Sequence, residues 1–117
     1  MKRPLAYITS AWTGNEFIDT EKAITYSRAV YESGYSPICP NLYMPLFIDN
    51  NIPDEHESTI TMSKDLLKRS RVLIVCGRKV DETVKTDIAT ASRLGITATT
   101  LDGILIITKH GQVKADD

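Results

Sequence analysis

Three aspartates, Asp65, Asp81 and Asp87, carry the residue chemistry that stands out in this chain. In residues 81–94 the apolar Val84, Ile88 and Ala91 recur, with Gly95, at about 100° per residue and define an inward helical stripe. Lys85, Thr86, Ala89, Thr90 and Arg93 are expected to face outward, whereas Asp87 falls on the inward side between Ala91 and Leu94. A carboxylate on an apolar helix face costs on the order of several kcal/mol if unpaired, so Asp87 needs a hydrogen-bonding partner or an opening into a cavity. A satisfied buried aspartate would meet the same condition. Asp81, about 9 Å earlier along the helix axis, is also the natural N-cap. Asp65, beside Met62 and Leu66 on an earlier helix, reads equally well as a solvated acid. Three acids near one sheet edge, without a basic cluster, fit hydroxyl-rich or nucleobase ligands better than phosphate, because carboxylates accept from hydroxyl and amino groups.

The elements that must position these acids alternate along the chain. Residues 5–8 are a short apolar run ended by small polar residues, which predicts a strand followed by a loop at 10–14. Residues 19–33 repeat apolar side chains at helical spacing, with Asp19 or Thr20 as expected N-cap and Gly34 as stop. A strand at 35–39 closes at Pro40. The connection 41–53 is long for a small domain, which favours a functional role, and its Leu42, Tyr43, Met44, Leu46 and Phe47 argue for packing. A helix capped by Asp54 is expected to run to about Ser70 with Ile60, Met62, Leu66 and Leu67 inward. The strand 71–76, apolar from Val72 to Cys76, comes next, then the helix bearing Asp87 and a Thr-rich strand at 96–101. Asp102-Gly103 and His110-Gly111 read as turns around the β-branched run 104–108, which predicts a C-terminal hairpin or fifth strand.

Strands alternating with helices predict a single α/β domain, a doubly wound parallel sheet of Rossmann-like or flavodoxin-like type. Ligands in such sheets sit beyond the carboxyl ends of the strands, where strand order reverses, and this selects the loops 10–14, 40–53, 77–82 and 102–103. The first loop has no G-x-G-x-x-G and no Walker-type glycine-lysine motif, which argues against a dinucleotide cofactor or an NTPase reaction. Thr9, Ser10 and Thr13 offer hydroxyls there instead.

Composition narrows the classes further. The 117 residues are 42% hydrophobic and 25% charged, and 14 basic against 15 acidic side chains leave a net charge of −1. That balance disfavours nucleic-acid binding by phosphate neutralisation. The longest apolar runs, such as 72–76, are too short to cross a bilayer, and the amino terminus leads into no signal-type segment, so neither membrane nor nucleic acid is an expected partner. The expected setting is cytoplasmic, with Cys39 and Cys76 as reduced thiols. His56 and His110 lack metal-site spacing, and no metal or cofactor is expected.

Four stretches give the chain a family likeness: Tyr7-Ile8-Thr9-Ser10-Ala11-Trp12, Pro40-Asn41-Leu42-Tyr43-Met44-Pro45-Leu46-Phe47, Met62-Ser63-Lys64-Asp65-Leu66, and the helix from Asp81 to Gly95 with Leu94-Gly95-Ile96. Together they resemble the short bacterial and phage members of the nucleoside 2-deoxyribosyltransferase-like proteins, over most of residues 4–101. The resemblance implies an N-glycosidic transferase or hydrolase acting on a small nucleoside or nucleotide. It places the nucleophile at Asp87 and an orienting tyrosine at Tyr7. It further implies base or sugar contacts from Asp65 and Asp81, pocket-lining roles for Ser10, Trp12 and Tyr43, and homo-oligomers whose neighbours complete each site. Two positions depart from the family pattern. Asp87 stands where those proteins carry Glu, drawing the carboxylate back by about 1.5 Å, and Thr83 stands where they carry Gly. The alternative is a binding module that keeps the pocket for a nucleotide or nucleoside derivative without chemistry. A third reading takes Tyr43, Met44, Leu46 and Phe47 as an apolar oligomer contact.

Overall fold

The strand β1 (Leu5–Ser10) lies at the middle of the sheet because both of its faces can be buried. Ala6 and Ile8 point to one face, and Tyr7 and Thr9 to the other, following the two-residue alternation of a strand. The computed structural model describes residues 2–106. In it, β1 is followed by α1 (Glu16–Glu32), β2 (Ser36–Ile38), a short helix α2 (Pro40–Tyr43) and a 3-10 turn at Met44–Leu46. The helix α3 (Pro53–Lys68), strand β3 (Val72–Cys76), helix α4 (Glu82–Arg93) and strand β4 (Thr97–Thr100) complete the α/β alternation.

The four strands pair in the order β2-β1-β3-β4, all parallel. Tyr7 stands opposite Leu73, and Ser10 opposite Cys76. Ala6, Ile8, Val72, Ile74 and Cys76 pack on one face against Ala23 and Val30 of α1. Tyr7 and Leu73 pack on the other against Leu67 of α3 and Ala91 of α4. Burial on both faces of a parallel sheet is the doubly wound arrangement, here in one domain. The chain turns from β1 to β2 on one side and returns to β3 on the other, so the loops after β1 and β3 diverge at the switch point.

Local chemistry relocates several expected boundaries. Asn15, rather than Asp19 or Thr20, caps α1, its side chain accepting from the Ile18 amide at 3.2 Å. Asp19 is buried, and its carboxylate accepts from the Thr13 amide and hydroxyl and the Gly14 amide. Burial alone would raise its pKa; these hydrogen bonds prevail and hold it below the usual carboxylate range. Asp54 does not cap α3, because Pro53 occupies the first helical position and Ile52 the cap. Of the residues expected inward on that helix only Leu67 is fully buried, while Ile60 is exposed. The connection 41–53 packs less than expected: Met44 is buried, but Tyr43, Leu46 and Phe47 are exposed. Asp81 caps α4 as expected, accepting from the Val84 amide at 2.9 Å, and Gly95 takes the left-handed conformation (φ 72°) that ends it.

The expected turn and strand after β4 are replaced by helix over residues 101–106. Thr100 supplies the reason: its hydroxyl accepts from the Gly103 amide at 3.0 Å, the geometry of an N-cap, and Ile104 then buries against the α1 face of the sheet. The rest of the run at 107–108 and the expected His110-Gly111 turn lie outside the described residues. No helix among the described residues is long and apolar enough to cross a membrane. Thr100→Ala is expected to cost about 1 kcal/mol of stability by loss of this cap, read as a lower denaturant midpoint at unchanged slope. An unchanged midpoint would contradict the capping role.

Candidate functional site

Alternation along β1 presents Tyr7 and Thr9 on the face that α3 and α4 cover, and beyond them the two helices part. A cleft of about 470 Å³ opens there, within the roughly 300–1,000 Å³ typical of small-molecule sites. One wall is a stripe of α4, Thr83, Thr86, Asp87 and Thr90, at spacings of three and four residues. The facing wall is a stripe of α3, His56, Thr59, Ser63 and Lys64, and Asn41, Met44 and Asn50 of the preceding connection close the rim.

Asp87 is half-buried, and the Thr9 hydroxyl donates to its Oδ2 at 2.7 Å. Burial pushes the Asp87 carboxyl above the ordinary aspartate range. The Thr9 hydrogen bond works against that rise, and the charge of Asp81 adds to it. The Tyr7 phenol is raised too, first by its burial and then by the Asp87 charge, with the Ser63 hydroxyl acting in the opposite direction. Tyr7 therefore stays a neutral hydroxyl beside the carboxylate. A carboxylate made more basic by desolvation, held by one hydroxyl and open to a cleft lined with further hydroxyls, suits nucleophilic or general-base work on a hydroxyl-bearing ligand. Among the described residues, no group of three or more His, Cys, Asp or Glu side chains is placed to hold a metal ion.

The residues singled out from sequence divide sharply. Asp87 and Tyr7 meet in the cleft. Asp81 lies at the start of the same helix with both oxygens engaged, Oδ1 by the Val84 amide and Oδ2 by the Trp12 amide at 3.2 Å. Trp12 is half-buried and meets Asp81 through its backbone, outside the cleft lining. Ser10 faces the opposite side of β1 and lines a second, smaller cavity. Asp65 stands on the exposed flank of α3, paired with Arg69 at 3.1 Å, and does not reach the cleft. Tyr43 is exposed, its ring centroid 6.5 Å from that of Phe47.

Thr86 and Thr90, expected to face outward, line the cleft, and Thr90 is buried. Sequence reasoning also passed over His56, Ser63 and Lys64. The signal was present as polar residues repeating beside an apolar stripe on each helix: 56, 59 and 63 on α3, and 83, 87 and 90 on α4.

A family model described as a domain of unknown function (DUF7768) matches residues 4–101. No curated protein matches the chain.

Because its folded-state pKa is raised, ionised Asp87 opposes folding. The protein gains from this group as pH falls through that pKa and loses the gain as pH rises. Asp87→Asn is expected to raise Tm near neutral pH, with an advantage over the parent protein that shrinks on acidification, as thermal melts across pH would show. A lower Tm at neutral pH, or a gap independent of pH, would contradict the burial of a charged carboxylate.

Proposed function

We propose, for a chain that belongs to the DUF7768 family, that the cleft cleaves or transfers the N-glycosidic bond of a nucleoside or nucleotide, with Asp87 as nucleophile. The observation that carries this reading is the half-buried Asp87 carboxylate, braced by the Thr9 hydroxyl at 2.7 Å and facing an open cleft of ligand size. The family likeness of the four sequence stretches supports it.

In this mechanism a carboxylate oxygen of Asp87 attacks the anomeric carbon as the C–N bond breaks through an oxocarbenium-like transition state. The base leaves with the bonding electron pair and takes up a proton, for which His56 and Lys64 on the facing wall are the nearby acids. Water, or a second base, then attacks the same carbon and releases the carboxylate. Tyr7, a neutral phenol lining the same cleft, would orient the nucleophile without competing as an anion, and the threonine stripe of α4 would pair with the sugar hydroxyls. No cofactor or metal is required by these steps.

A binding module without turnover is the second reading. Thr83 lines the cleft and Asp87 is one methylene shorter than Glu, so the reacting atoms would sit too far apart, and a misplacement of about 1 Å can cost roughly a hundredfold in rate. The exposed Leu46 and Phe47, on the connection that forms the rim, suit contact with a second copy of the chain. Two free, buried thiols, Cys39 and Cys76, the latter pushed up to about 12 chiefly by its burial, fit a reducing cytoplasmic setting.

Asp87→Ala is expected to lower release of free base from a panel of nucleosides and nucleotides by about a thousandfold or more, with the circular dichroism spectrum unchanged. Turnover at the parental rate would overturn the assignment, and ligand-induced stabilisation without turnover in the parent protein would favour the binding module. Thr9→Val removes the hydrogen bond that lowers the Asp87 pKa, so the acid limb of the kcat/KM profile should move to higher pH; an unmoved limb would separate Thr9 from the chemistry.

A further inference from the structure

The sheet ends on two strands whose sequences treat their free edges differently. At one end β2 is three residues long with Pro37 at its centre. The Ser36 amide donates inward to the Pro4 carbonyl at 2.9 Å. Strand alternation then turns the backbone nitrogen of residue 37 outward, where proline has no hydrogen to donate. That edge is blunted against a further strand. At the other end β4, Thr97-Ala98-Thr99-Thr100, holds no proline, and no residue from Ile96 to Leu101 is charged. The sequence predicts a fifth strand beyond it, but residues 101–106 are helix, so among the described residues no strand pairs with the outer side of β4.

The register identifies the free groups. The Arg71 amide donates to the Leu5 carbonyl of β1 at 2.8 Å, so alternation turns the amides of Val72 and Ile74 toward β4. With Leu73 opposite Ala98 and Val75 opposite Thr100, the backbone groups of Ala98 and Thr100 face β3, and those of Thr97 and Thr99 face outward. Outward groups on alternate residues are what an antiparallel ladder pairs. Laid against itself about a two-fold axis at Ala98, the strand sets Thr97 of one copy opposite Thr99 of the other, and the reverse, so that both residues exchange backbone hydrogen bonds. The residue on the axis takes the close, non-hydrogen-bonded position, where Cα atoms stand about 4.5 Å apart, and it is an alanine. Threonine pairs are favourable cross-strand neighbours, and no like charges meet.

Backbone pairing over so short a strand needs apolar burial beside it, and both faces of the edge supply some. Leu94, at the end of α4, and Leu105 and Ile106, on the helix after β4, are all exposed. That helix lies over the Thr99 side of the sheet: a Cβ on Gly103 would stand 3.4 Å from the Thr99 hydroxyl, and Ile104 is buried in the core on the α1 side. Ala98 shares the opposite face with Leu73, beneath α4. We infer that β4 is a self-association edge, through which two copies of this chain join antiparallel at Thr97 and Thr99 into one continuous sheet with four strands from each. No residue lining the large cleft comes from β4 or from residues 101–106, so both clefts stay open in such a dimer, whatever they bind.

Sedimentation equilibrium and amide hydrogen exchange on the full chain test this edge. A monomer–dimer equilibrium in the micromolar range is expected, with exchange at the Thr97 and Thr99 amides slowing as protein concentration rises. Thr99→Pro removes one outward donor from each copy, as Pro37 does at the other edge, and should weaken the dimer about tenfold or more. Thr97→Lys/Thr99→Lys keeps every backbone donor but sets like charges opposite each other, and should weaken it as much; this variant decides the matter if the proline variant does not fold by circular dichroism. Phe47→Glu, on the cleft rim, should leave the dissociation constant unchanged. A monomer at every concentration, or a dimer indifferent to the β4 variants, would overturn the inference, and loss of the dimer in Phe47→Glu alone would move the contact to the rim. Protection of the Thr97 and Thr99 amides that does not vary with concentration would show the edge filled within one chain, and would overturn it too.

Discussion

The hydrogen bond from Thr9 to Asp87, 2.7 Å across the carboxyl end of the sheet, is the interaction on which the site depends. A half-buried carboxylate needs a donor, since desolvation without one carries a penalty of order several kcal/mol. The donor here comes from a strand rather than from the helix that bears the acid. That requirement ties the alternation of β1 to the phase of α4: Thr9 must face the helix layer, which puts Tyr7 there as well and turns Ala6, Ile8 and Ser10 to the opposite side. One hydroxyl satisfies one carboxylate oxygen and leaves the group partly desolvated, which is why its proton affinity stays raised.

Two other acids hold the frame in which that contact is made. Asp81 starts α4 and, through its second oxygen, accepts from the Trp12 amide, so it joins the loops that diverge after β1 and β3. Asp19 gathers Thr13 and Gly14 into the turn leading to α1. Both carboxylates are bound to backbone amides close to the site, and their effect is to fix the loop geometry between the large cleft and the small cavity. The acidic character of this sheet edge is thus largely architectural, while the cationic side chains of α1 and the loop after β3 meet beside it.

Much of this is legible in the sequence. The alternation of short apolar runs with helical periodicities fixes a parallel α/β sheet, and the phase of Val84, Ile88 and Ala91 isolates Asp87, because hydrophobic period is a local property of the chain. Asp81 as a cap follows from the same local logic. What was not legible depended on competition or on distance. Asn15 and Asp19 both suit an N-cap, and only the fold of the 11–14 turn decides that Asp19 serves the loop and Asn15 the helix. Thr100 and the β-branched residues after it favour a strand by propensity, yet capping and the burial of Ile104 draw residues 101–106 into a helix. Asp65 has the right neighbours in sequence and the wrong face in space, where Arg69 one turn away pairs with it. The pairing of Lys22 with Arg78 and Lys79 around one recess has no sequence signature, since the topology alone brings them together.

The most direct measurement is intact-protein and peptide mass spectrometry of the chain quenched in acid during incubation with mixed nucleosides, deoxynucleosides and their monophosphates. A sugar or sugar-phosphate mass increment is expected on the peptide containing Asp87, accompanied by free base. Release of base with Asp87 unmodified and the increment on another residue, or no increment and no free base with any of these compounds, would contradict a nucleophilic role for the Asp87 carboxylate.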